Sequence, residues 1–316
     1  MRRYLARRLL LLLPVLVGVS VIIFMVLHLS PGDPAEIMLG SQATKEDLAR
    51  LRADLGLTEP LHVQYVHWIS HVVRGDLGRS LWMKRPVLGE VLTRLRATLL
   101  LTATALLLST TVGVALGVAA ATRPNSVLDR LSAVASLFGA SMPSFWLGIV
   151  LMVIFALWLG WLPASGMYSP FGGGDLRDLL GHLILPAVTL GLAGGGWYSR
   201  MMRSSMVDVL RQDYIRTARA KGLDERSVLF VHAFRNAVLP IIAMIGLDVG
   251  IFMSGVVVVE SVYGWPGIGQ LMWQAIQDRD IPIIMGVTLT AAIFIVLGNL
   301  LADLIAPLID PRIRLR

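Results

Sequence analysis

The chain has no cysteine, and only 16% of its 316 residues are charged. The absence of cysteine excludes disulfides, haem thiolates and thiol-ligated metals. It leaves the compartment open, because both redox environments tolerate cysteine-free chains. Reaction motifs are missing as well. There is no Gly-x4-Gly-Lys-Ser/Thr to cradle ATP phosphates, no His-Glu-x-x-His pair and no Gly-x-Ser-x-Gly elbow. No catalytic or cofactor-binding residue is therefore assigned. His62, His67 and His71 have no acidic or thiol ligand at fixed spacing beside them and read as interfacial histidines, so no metal site is assigned either. The run 264–269, Gly-Trp-Pro-Gly-Ile-Gly, echoes a dinucleotide fingerprint but follows an apolar helix and carries Pro266 where a phosphate-binding amide is needed; it reads as a tight turn.

What is present is apolar. Hydrophobic residues make up 55% of the chain and the mean hydropathy is +0.70, too high for a soluble domain of this size. The net charge of +7 does not point to nucleic acid, because the cations cluster beside apolar runs, as membrane topology requires.

A span needs about 20 mostly apolar residues to cross roughly 30 Å of hydrocarbon with every backbone amide paired. Six stretches qualify, at 9–29, 97–121, 131–161, 183–202, 237–259 and 283–306, so the fold expected is an all-α membrane protein of six transmembrane helices. The first is too long for a signal-peptide core and is kept as a helix. The fourth is the weakest, since it holds Pro186 and the run Gly194-Gly195-Gly196. Lys and Arg fall in one alternating set of connections, which places both termini and the stretch 203–236 in the cytoplasm.

The resulting organisation is an N-terminal tail with helix 1 (1–29), an extracytoplasmic segment (30–96), a core holding the other five apolar stretches (97–308) and a basic cytoplasmic tail (309–316). Residues 30–96 carry almost as many acids as cations and read as a small helical element: Thr44 caps a first helix that Gly56 stops, and Tyr65, Trp68 and Ile69 suit a second to the membrane interface.

Polar residues within the apolar runs single themselves out. A charge at mid-bilayer costs about 2.5–3.5 kcal/mol, so Asp248 must face a pathway or pack by a hydrogen bond. Ser141 and Pro143, with Ser144, bend the third span. Between the fourth and fifth spans, Leu210, Tyr214, Ile215 and Ala218 form one apolar stripe, Gly222 is placed as a left-handed stop, and Asp224 can cap a following helix. Leu223 and Val228 are spaced to staple that second helix. These signals predict a rigid corner rather than a solvated loop.

That corner resembles a known family. The string 213–222, containing Arg216-Thr217-Ala218-Arg219-Ala220-Lys221-Gly222, and the later Arg235-Asn236-Ala237-Val238-Leu239-Pro240 are similar to the Glu-Ala-Ala loop of ATP-binding-cassette importer permeases of the dipeptide, oligopeptide, nickel and glutathione branch. Ser30-Pro31-Gly32-Asp33-Pro34, Gly75-Asp76-Leu77-Gly78, Ser141-Met142-Pro143, Arg203-Ser204-Ser205-Met206, Trp265-Pro266-Gly267 and Asp310-Pro311-Arg312 extend the likeness along nearly the whole chain. It departs from the general pattern in having Arg216 where the acid would stand.

The resemblance implies the type I importer permease architecture, most like the first permease subunit of a dipeptide importer, in a bacterial plasma membrane. It implies a second homologous permease, two cytoplasmic ATPases that hold ATP and Mg, and an external solute-binding protein. Arg216, Thr217, Ala218, Lys221, Gly222, Leu223 and Asp224 would couple the chain to an ATPase. Dipeptide is the implied cargo, with nickel chelate or glutathione as alternatives. A secondary transporter would need more than the intramembrane Asp248 and commonly an inverted repeat.

Overall fold

The computed structural model describes residues 2–29, 35–36, 44–54, 56–170 and 172–309. The expected motif at 30–34 and the tail at 310–316 lie outside the described residues. The chain is built from α1 (Arg2–Leu29), α2 (Lys45–Asp54), α3 (Leu61–Val73), α4 (Val87–Thr122), α5 (Val127–Ser141), α6 (Ser144–Trp158), α7 (Leu176–Leu210), α8 (Asp213–Ala220), α9 (Glu225–Ala237), α10 (Leu239–Tyr263), α11 (Ile268–Gln277) and α12 (Ile281–Ile309). No strand occurs among the described residues; Arg79 and Pro86 form an isolated bridge.

The apolar stretches correspond to helices, with physical corrections. α4, α7 and Ile281–Leu300 of α12 are continuous and long enough to span, and α1 contributes the shorter apolar run Leu10–Val26. The third stretch does not merely bend. α5 ends at Ser141, Met142 and Pro143 are extended (ψ 131° and 132°), and α6 leaves at 108° to α5. Proline disfavours the helical conformation of the residue before it, and here Met142 leaves the helix altogether. The fourth stretch, expected to be weakest, is one helix of 35 residues that runs through Pro186 and all three glycines. Neighbouring helices stabilise such breakers in a membrane bundle.

The chain separates into two compact units, described in turn. The first comprises Leu99–Trp265 and residues 297–309. In it α5 packs along α7, and α10 packs on α6 and α7. Small residues recur every fourth position on α4 (Ser109, Gly113, Gly117, Ala121) and on α7 (Ala187, Gly191, Gly195, Ser199), which lets backbones approach closely. A Cβ on Gly113 would stand 2.7 Å from the Gly195 carbonyl oxygen, one on Gly117 2.6 Å from that of Ser199, and one on Gly196 2.5 Å from that of Ser136. Of the three glycines that weakened the sequence signal, Gly196 thus stands at one of the closest backbone approaches in the bundle. Tyr263 at the end of α10 donates to the Gly148 carbonyl at 3.0 Å and pairs with the Thr189 hydroxyl at 2.9 Å, joining α10 to α6 and α7.

The second unit comprises Arg2–Thr98 and Pro266–Val296. α2 begins at Thr44, whose hydroxyl accepts the Asp47 amide at 3.1 Å, and the chain after it turns at Gly56 (φ 67°). Tyr65 and Trp68 of α3, the residues suited to the membrane interface, pack on Phe24 of α1 with ring centroids 5.5 and 5.9 Å away, and the Tyr65 hydroxyl lies 2.8 Å from that of Ser20. α4 starts ten residues earlier than its apolar run, because Val87, Val91 and Leu95 make a buried face at helical spacing. The loop between α3 and α4 is held by the buried Asp280 at the start of α12. Its carboxylate accepts the Ser80 hydroxyl and the amides of Leu81 and Trp82, each amide at 3.2 Å.

Candidate functional site

The exposed corner between α7 and α10 is where the sequence motif and the structure meet. α8 is short and strongly one-sided: Ile215 and Ala218 are buried, while Asp213, Arg216, Thr217 and Arg219 face out. Its end is a Schellman turn. The Leu223 amide reaches back to the Ala218 carbonyl at 3.4 Å, the Gly222 amide bonds the Arg219 carbonyl at 2.9 Å, and Gly222 takes φ 78°. Glycine suits this conformation because no Cβ crowds the following carbonyl. Two residues later the Asp224 carboxylate accepts the Ser227 amide at 3.1 Å and starts α9. The Ser227 hydroxyl and then its amide hold the Asp224 carboxyl below the usual carboxylate range.

Two bridges brace the corner. Arg219 grips Glu225 with both forks of its guanidinium, at 2.8 and 3.3 Å, so the helices on either side of Gly222 are tied across the turn. Asn236, near the end of α9, donates to the Tyr214 hydroxyl at 2.9 Å. Arg216 pairs with Asp213 at 3.4 Å on an open surface, where such a pair adds little.

Underneath, Ile215, Ala218, Val228, Ala233 and Ala237 share one buried core with Ala121 of α4, Tyr198, Met202 and Met206 of α7, and Ile241 of α10. The corner is therefore seated on the spanning helices rather than hung from them. Among the expected coupling residues, Arg216, Thr217, Lys221, Gly222, Leu223 and Asp224 are exposed and lie together. Ala218 is only 8% exposed, so it supports the corner from below and presents almost no surface. Val228 is buried, while Leu223 keeps 42% of its surface and offers an apolar contact to the outside.

Ser141 and Pro143 stand apart from the corner, at the break between α5 and α6. Asp248 sits in α10, where its carboxylate accepts the phenolic hydrogen of Tyr198 from α7. Sequence reasoning passed over Tyr198, which has no local signature. It also left Arg203, counted among the cytoplasmic cations and in the family-like string 203–206, without a partner residue. The Arg203 guanidinium binds both Asp129 carboxylate oxygens at 2.5 and 2.8 Å, and the Asn125 amide adds a third bond at 2.9 Å, fixing the start of α5 to α7. Asp129 lies three residues after the cap Ser126, a capping spacing that could have drawn attention to it.

The described residues thus form a helical bundle with helices long and apolar enough to cross a membrane and a braced, exposed corner between α7 and α10. The same fold is found in a chain of the inward-facing MetNI methionine ABC transporter, with a TM-score of 0.55 over 70% of this chain and 96% of that one at 17% identity. Residues 113–315 match the family described as binding-protein-dependent transport system inner membrane component, and residues 1–102 match its N-terminal companion. The chain belongs to this family, the permease subunits of ABC importers, with the type I architecture. Among its relatives, the glutathione transport system permease GsiC of Salmonella typhimurium is 43% identical over 99% of both chains. The oligopeptide permease AppB of Bacillus subtilis is 40% identical, again over 99% of both. The dipeptide permease DppB of Alkalihalophilus pseudofirmus is 41% identical over 99% of this chain and all of its own.

Proposed function

We propose that this permease forms half of a translocation path for short peptides, dipeptides foremost, completed by a second homologous permease. An external solute-binding protein delivers the cargo, and two cytoplasmic ATPases hold the ATP and Mg that drive the cycle. Both termini and the corner lie on the cytoplasmic side of a bacterial plasma membrane. The observation that supports the cargo is similarity along the full chain to permeases named for dipeptide, oligopeptide and glutathione transport. Glutathione is the second reading, favoured by the 43% identity to GsiC.

The corner performs the coupling. ATP shifts an inward-facing/outward-facing equilibrium only by binding one state better than the other, and moving it from 1:99 to 99:1 takes about 5.5 kcal/mol of differential binding. An element that bends under load would dissipate that work. α8 and α9 are closed by a Schellman turn, a side-chain cap and a two-pronged ion pair, so a displacement of the exposed face moves the whole unit.

The test is uptake into vesicles containing the complete importer with its binding protein. Labelled dialanine is expected to accumulate on ATP addition, with glutathione, a longer peptide and a nickel chelate as competitors that rank the cargo. Lys221→Glu, on the exposed corner, is expected to abolish uptake and release the ATPases while the permease stays in the membrane. Full transport by Lys221→Glu would remove the docking role. A cysteine placed at either terminus of this cysteine-free chain should react with membrane-impermeant thiol reagents only from the cytoplasmic side.

A further inference from the structure

We propose that the hydrogen bond between Tyr198 and Asp248 is the clasp through which movement of the corner reaches α10, which makes Tyr198 a positioning residue for transport. The inference rests on the docking role assigned above. On α7 the corner's buried core continues through Met206, Met202 and Tyr198, each one turn beyond the last on the same face. On α10 it begins at Ile241, and Asp248 lies two turns further along that helix. The two faces start under the same corner and end at the same bond, since the Tyr198 hydroxyl donates to the Asp248 carboxylate.

The chemistry suits a register contact. Apolar packing is non-directional and lets two helices slide, whereas a hydrogen bond to a carboxylate holds one geometry. The Tyr198 ring is fully buried and Asp248 is half-buried, so water competes little for the donor. On the other side of the glycine run the α7–α10 pair is held again by Thr189 and Tyr263. α7 is thereby fastened to α10 on both sides of Gly194–Gly196, and a push at the corner is carried to α10 instead of being lost as slippage.

The test uses the complete importer in vesicles, reading dialanine uptake per ATP hydrolysed for Tyr198→Phe, Asp248→Leu, Asp248→Asn and the double variant Tyr198→Phe/Asp248→Leu. Leaving a buried hydrogen-bonding group without its partner is costly enough to bias a two-state equilibrium about tenfold. Tyr198→Phe and Asp248→Leu are each expected to lower the ratio about tenfold with the ATPases still bound. The double variant should be no worse than Asp248→Leu alone, and Asp248→Asn, which keeps an acceptor, should stay within about twofold of the parent. The clasp is overturned if Tyr198→Phe transports normally, if Asp248→Asn fails as badly as Asp248→Leu, or if uptake falls only in proportion to ATP hydrolysis. Because these variants keep the corner intact, a silent Tyr198→Phe beside a dead Lys221→Glu would remove the clasp and leave the docking role standing.

Discussion

Where α4, α5 and α7 meet, contact is made by leaving side chains out; in the part built from residues 2–98 and 266–296 it is made by placing a carboxylate among backbone amides. The first solution suits a bundle in lipid, where burying apolar groups gives no advantage over the solvent and close backbone approach supplies the attraction. The second suits a polar connection, where a loop must be held in one shape and its amides must all be satisfied. The corner borrows from both, with a small-residue seat at Ala218, Ala233 and Ala237 and a carboxylate cap at Asp224.

Substitutions sharpen the contrast, and the largest effect is expected from the carboxylate. Asp280→Ala leaves the buried Ser80 hydroxyl and the Leu81 and Trp82 amides without their acceptor. At about 1–3 kcal/mol for each orphaned group, thermal unfolding of the solubilised protein should move down by several degrees or more. Asp280→Asn should recover part of that loss.

The glycine run comes next, and its three members should separate. A Cβ at Gly196 meets a carbonyl oxygen at 2.5 Å, one at Gly194 meets the Phe252 ring at 2.8 Å, and one at Gly195 meets the Ser109 carbonyl oxygen at 3.6 Å. Gly196→Ala is expected to cost about 1–3 kcal/mol. Gly194→Ala should cost less because a ring can turn, and Gly195→Ala should be tolerated. Equal melting points for all three would contradict the close-packed account.

At the corner, Gly222→Ala meets no atom within 4 Å but keeps φ 78°, so the expected penalty is backbone strain of about 1 kcal/mol, measurable as a small drop in melting point with uptake reduced rather than abolished. The smallest effect concerns pH. The folded carboxyl of Asp224 titrates below its unfolded counterpart, so its cap is fully present above the unfolded carboxylate value of about 3.9 and is lost as pH falls through the folded value. The melting-point gap between the parent and Asp224→Asn should therefore be constant from pH 6 to 8 and close at strongly acidic pH.

Much of the corner was legible before folding because its signals are local. The Schellman turn at Gly222 and the cap at Asp224 involve partners within five residues, and sequence spacing reports such neighbours directly. Ala218 was legible as part of an apolar stripe but not as a buried seat, since its cover comes from other helices. The opposite failure occurred in α7. Pro186 and the glycine triplet weakened the span when scored residue by residue, yet the helix is continuous because its neighbours fit those gaps.

Composition and the spacing of apolar runs were enough to establish a helical membrane protein, and short-range motifs were enough to outline the corner, because hydropathy and capping act over a few residues. The pairs Tyr198–Asp248, Arg203–Asp129 and Ser80–Asp280 are separated by 50, 74 and 200 residues. Nothing in the neighbourhood of any one of these residues announces its partner, so which buried charge meets which donor was settled only when the helices packed.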